Sequence, residues 1–93
     1  MTYIGAQSAY NYKSLSATAN VKATDGQLGG IFVSAASSTP TITVYNSAAT
    51  GTTDPIVTVF TPVAGTYYPL PFAFGAGLYI VISGTVSCTV AYL

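Results

Sequence analysis

The sequence predicts an all-β protein: a single small antiparallel β-sandwich or jelly roll of six to eight strands, preceded by an N-terminal arm. Three observations carry this expectation. Apolar and polar residues alternate with period two over short stretches, and no segment has the 3.6-residue period of a helix. Turn residues recur at the roughly 8 to 12 residue spacing of all-β folds. Ser and Thr supply 23 of the 93 residues beside eight Tyr, a mixture that favours strands and turns over helices.

Residues 1–13 form the expected arm. Tyr3, Ile4, Tyr10 and Tyr12 are apolar anchors with no strand pattern, spaced by Gly5 and small residues, an arrangement suited to packing on a neighbour. The sandwich domain is expected over residues 14–93. From Leu15 the alternation is regular: Leu15, Ala17, Ala19, Val21 and Ala23 on one face, Ser16, Thr18, Asn20, Lys22 and Thr24 on the other. Asp25-Gly26 reads as a type I′ hairpin turn, since both positions tolerate φ > 0, with Leu28 to Ala35 pairing back antiparallel. Ser37 to Pro40 reads as a turn before a strand at Thr41 to Tyr45, and Asn46 to Pro55 as a polar loop. Ile56 to Thr61 is β-branched with apolar residues on both faces and is expected to lie centrally. Tyr67 to Phe72 carries Pro69 and Pro71, which cannot donate ladder hydrogen bonds, so it is expected at an edge or as a bridge between sheets, with Tyr67 exposed. Leu78 to Ser83 and Thr85 to Tyr92 flank Gly84 as a closing hairpin, the second run placing Val86, Cys88, Val90 and Tyr92 on one face.

Composition narrows the class further. Charged residues make up 4% against roughly 25% in ordinary soluble domains, and the formal net charge is zero. Nothing in that balance attracts nucleic acid or anionic lipid, and no long-range repulsion keeps copies apart. Eight Tyr, four Phe and many Val and Ile argue against disorder. The longest apolar run, Phe72 to Ile82, is about half of the roughly 20 residues a membrane-spanning helix needs and contains Gly75 and Gly77. Met1 to Tyr12 lacks the basic and apolar regions of a secretory signal, so synthesis without export is the expectation. One cysteine permits no internal disulfide, and a chain this short buries only about 60 to 65% of its unfolded surface. Oligomerisation is the expected remedy.

The chain contains no His, Glu or Arg, so general acid–base catalysis has almost no candidates, and a Ser or Cys nucleophile has no base to activate it. No catalytic, cofactor-binding or metal-binding residue is assigned. Cys88 is read as a small core hydrophobe. Asp25 and Asp54 fall in turns and are too few for the six to eight oxygen ligands of calcium. Lys13 and Lys22 are too few to neutralise a run of phosphates. What remains is tyrosine, which offers broad amphipathic contact area at low entropic cost. Tyr79 and Tyr92 are expected in or near the core; Tyr3, Ile4, Tyr10, Tyr12, Tyr67 and Tyr68 are expected to contact other chains.

Three segments together resemble the small β-sandwich virion proteins of tailed bacteriophages: Val21 to Ile31 (VKATDGQLGGI), Thr41 to Asn46 (TITVYN) and Gly77 to Thr85 (GLYIVISGT). The resemblance spans most of the chain from about Val21 onward. It implies a capsid decoration, or cement, protein: a non-enzymatic subunit made in the host cytoplasm. It would sit on the capsid surface, commonly as a homotrimer, against the major capsid protein or another virion protein. A tail or connector accessory subunit, and a glycan-binding fibre or adhesin module, are the alternatives. The resemblance carries no catalytic or ligand residue with it.

Overall fold

The computed structural model describes residues 9–93, and the regular elements among them are all strands. They are β1 (Asn11–Leu15), β2 (Ala19–Lys22), β3 (Gly26–Asn46), β4 (Pro55–Phe60), β5 (Thr66–Pro69), β6 (Ala73–Phe74) and β7 (Leu78–Tyr92). Two of them organise the rest. β3 and β7, 21 and 15 residues long, pair antiparallel from Leu28↔Tyr92 to Asn46↔Leu78. Along the far edge of β7 run β1, from Asn11↔Tyr92 to Leu15↔Cys88, and then β2, from Ala19↔Ile80 to Lys22↔Leu78. Along the far edge of β3 run β6 at Gly26 and Gln27, β5 at Gly30 to Val33, and β4 at Ile42 to Tyr45.

The long ribbon bends in its middle. Between Ser37↔Thr85 and Thr41↔Ser83, the residues Ser38 to Pro40 oppose Gly84 alone. A bulge of this kind bends its strand and tightens the local twist. Thr39 and Gly84 both take positive φ, 49° and 84°, which turns the two strands together without breaking their pairing. Gly84 meets that demand at no steric cost. The ribbon thereby folds its two halves toward each other, and the backbone at Gly26, beside its ladder partner Phe74, lies against the ammonium of Lys22, whose strand β2 pairs at the opposite end of the ribbon.

Period-two alternation then places one face of the whole ribbon inside. Leu78, Ile80, Val86, Cys88 and Val90 of β7 are buried, as are Leu28, Ile31, Val33, Ile42 and Val44 of β3. Leu15 from β1 and Phe74 from β6 complete a single cluster. Full burial of each large aliphatic side chain contributes about 1.5–3 kcal/mol. The result is one continuous antiparallel sheet curled into a small sandwich, an all-β fold of the predicted class.

Several local expectations are corrected. Asp25-Gly26 is not a hairpin turn: neither residue has positive φ, β2 pairs with β7 rather than β3, and the turn instead carries the chain from one layer to the other. Ser37 to Pro40 and Gly84 end no strand, because their irregularities face each other and the ladder runs through both. The strand expected from Leu15 to Thr24 is interrupted at Ser16 to Thr18, where the Thr18 hydroxyl bonds both the N–H (2.9 Å) and the carbonyl (3.2 Å) of Ile82 in place of a backbone ladder. β4 pairs only with β3 among the described residues and lies at an edge, not centrally; its Thr58 and Val59 are exposed. The arm ends earlier than residue 13, since Asn11 to Lys13 already belong to β1. Tyr3 and Ile4 lie outside the described residues. β5 is an edge strand with Tyr67 exposed, as its prolines imply.

Candidate interface

The layer built from β5, the first half of β3, the second half of β7 and β1 presents an outer face whose rows follow from the register. One row runs Pro69, Gly30, Ala91, Tyr12, and the next runs Tyr67, Phe32, Thr89, Ser14. Residues directly opposite in an antiparallel pair share a face. The face therefore gathers Tyr12, Phe32 and Tyr67, exposed by 75, 43 and 51%.

Two adjacent glycines seat two tyrosines there. The Tyr67 ring and hydroxyl lie where a side chain at Gly30 would stand, and the same hydroxyl donates to the Gly29 carbonyl at 3.3 Å. A Cβ at Gly29 would come within 2.6 Å of Tyr10 Cε2. Tyr10 and Tyr67 thus cover a β-bulge between Leu28 and Gly30, and Tyr12 stands beyond them on β1. The rings remain substantially exposed, and none of the four charged side chains of the chain occupies either row.

Of the sequence-derived candidates, the fold brings Tyr10, Tyr12 and Tyr67 together and separates Tyr68 from them. Tyr68 is half-buried; its ring packs 5.0 Å from that of Phe60, and its hydroxyl accepts the Val63 N–H at 2.9 Å. It serves the fold at the seam between β4 and β5. Tyr92 packs on the core as expected, whereas Tyr79 is half-buried on an outer face against Tyr45, with centroids 6.2 Å apart. Phe32 was missed, although its signal is present: Ile31 and Val33 point inward, so period two sends Phe32 outward.

The same face carries a concavity of about 330 Å³ lined by Ser14, Leu15, Ser16, Ser34, Ser87, Cys88 and Thr89. It opens where β1 stops at Leu15 and leaves the edge of β7. Ser34 Oγ donates to the Ser87 carbonyl at 3.0 Å. Cys88 is buried, and burial pushes its thiol above the ordinary range, partly offset by a backbone hydrogen bond from Leu15. A thiol so held is mostly protonated at neutral pH and a poor nucleophile. Among the described residues no three His, Cys, Asp or Glu side chains come together as a metal site.

Away from this face, Asn46 fastens the polar loop to the start of β7. It donates to Asp54 Oδ2 at 2.9 Å and accepts from the Ala76 and Gly77 N–H groups at 2.8 and 3.3 Å. Asp54 is thereby accounted for by loop structure.

Compared with models of known protein families, with curated proteins and with solved structures, the chain shows no match.

Proposed function

We propose that this chain is a non-enzymatic virion subunit, a capsid decoration protein. Its Tyr10–Tyr12–Tyr67 face docks on the outer surface of a phage capsid and helps hold neighbouring capsid proteins together. One observation carries the reading: Tyr10 and Tyr67 lie over the Gly29–Gly30 pair of β3 and Tyr12 stands beside them on β1, three exposed tyrosines on a face whose two rows hold no charged side chain. Aromatic side chains so placed are the anchors of protein interfaces. The resemblance of the strand segments to small phage virion proteins supports the choice of partner, and multivalent display on a particle lets modest contacts hold firmly.

The test is cosedimentation of the purified protein with shells assembled from the major capsid protein of the same genome. Light scattering of the free protein gives its oligomeric state, for which a trimer is expected. Binding is expected to saturate at a fixed copy number per shell and to change little with salt, because screening acts on charges. Failure to cosediment, or release between low and physiological salt, overturns the proposal.

A further inference from the structure

We propose that the concavity between β1, β3 and β7 binds a neutral saccharide. This inference does not require docking at the tyrosine face, although the concavity adjoins that face and shares with it the row of Phe32, Thr89 and Ser14.

Three independent features meet at this place. The strand partner of β7 is interrupted: β1 pairs as far as Cys88 and β2 pairs only up to Ile80, which leaves the edge of β7 without a strand partner around the bend and opens a notch beside the end of β1. Five hydroxyl-bearing residues, Ser14, Ser16, Ser34, Ser87 and Thr89, line the notch beside Leu15 and Cys88. Each hydroxyl has one donor and two acceptor sites, the Ser34 donor being already used on the Ser87 carbonyl, so these residues match a ligand that itself carries alternating hydroxyl donors and acceptors. Beside it stands Phe32, opposite Thr89 in the ladder and two residues before Ser34 on the same face, with 43% of its surface exposed. An exposed ring next to a hydroxyl-lined hollow supplies the two contacts a sugar ring needs: a flat apolar platform for its C–H face and hydrogen bonds for its rim.

Charge and size narrow the ligand. No cation or carboxylate lines the concavity, so an acidic sugar or a phosphate finds no counter-charge and loses hydration without return. The volume of about 330 Å³ falls at the lower end of the roughly 300–1,000 Å³ of small-molecule sites. That suits one or two sugar units rather than a long chain.

The experiment is an NMR titration of the ¹⁵N-labelled protein with glucose, galactose, N-acetylglucosamine and maltose, with N-acetylneuraminic acid as the charged comparison. At least one neutral sugar is expected to give saturable amide shifts centred on Ser14, Ser34, Ser87 and Thr89. Phe32→Ala and Ser87→Ala are each expected to weaken that binding about tenfold. Val59→Ala, in the other layer, leaves it unchanged. Phe32→Leu keeps apolar bulk without the ring; weakening there too separates loss of stacking from loss of folding. Absence of saturable shifts with all four neutral sugars, shifts indifferent to Phe32→Ala and Ser87→Ala, or a stronger response to the charged sugar overturns the assignment.

Discussion

Tyr67 lies across Gly30 on the outer face, occupying the space a side chain at that position would fill, while its hydroxyl reaches the Gly29 carbonyl. A methyl group at Gly30 meets both the Tyr67 ring and, at 2.7 Å, the Tyr68 carbonyl. The ring can move; the carbonyl belongs to β5 and moves only with the strand. Gly30→Ala is therefore expected to destabilise the protein by about 1–3 kcal/mol, the range for overpacking. The double variant Gly30→Ala/Tyr67→Ala recovers part of that loss and not all of it. Urea titration of the two single variants and the double measures the coupling. Full recovery would mean that the clash is with the ring alone.

The corner yields a prediction of opposite signs on its two strands. Gly84 sits at φ 84°, where a Cβ is strained, so Gly84→Ala is expected to cost about 1–2 kcal/mol. Thr39 sits at φ 49°, a region that disfavours a β-branched residue and tolerates Asn. Thr39→Asn is expected to raise stability by roughly 0.5–1 kcal/mol. Paired melts of the two variants check both signs, and a destabilised Thr39→Asn would show that the Thr side chain holds the bend in another way.

That corner also explains which parts of the fold were legible in the sequence. The inner face of Val86, Cys88, Val90 and Tyr92 was readable because period two is a local property of one strand. The corner was not, because a turn signal and a bulge signal use the same residues: Gly84 alone, or Ser37 to Pro40 alone, each reads as a chain reversal. Only their pairing across the ribbon makes them a bend. The same holds for Asp25-Gly26, whose hairpin signature is overridden because β7 already supplies the partner β2 needs. At the candidate interface, Tyr67 was marked by Pro69 and Pro71, and Tyr12 by its place in the arm. Their convergence over Gly29 and Gly30 depends on long-range register, which no local pattern encodes.

Cys88 makes a prediction in pH. Its thiol pKa is raised by burial, so the folded state holds that proton at pH values where the unfolded chain has released it. Stability is then unaffected below the ordinary thiol range near pH 8.5 and falls as the pH rises through and beyond it. Cys88→Ala removes this contribution to the slope while costing stability at all pH values through the cavity it leaves. Denaturant titrations of both proteins from pH 7 to pH 9.5 compare the slopes; identical slopes would show that the thiol is not held protonated by the fold. Modification by a thiol reagent is likewise expected to follow unfolding rather than to proceed on the native protein.

Tyr12 and Tyr68 separate assembly from folding. Tyr12 is 75% exposed at the rim of the outer face, so Tyr12→Ala is expected to change stability by no more than about 0.5 kcal/mol, as for surface substitutions generally. Its loss is expected instead to weaken attachment to capsid shells by about tenfold or more, since truncated interface anchors commonly cost more than 1 kcal/mol. Tyr68→Phe does the reverse: it removes the acceptor for the Val63 N–H while keeping the ring on Phe60. That costs about 0.5–1.5 kcal/mol of stability, the net worth of one hydrogen bond, and leaves shell binding intact. Cosedimentation and urea unfolding on the same two variants read the two effects side by side. If Tyr12→Ala binds shells like the parent protein, the tyrosine face is not the docking surface, whatever the stability data show.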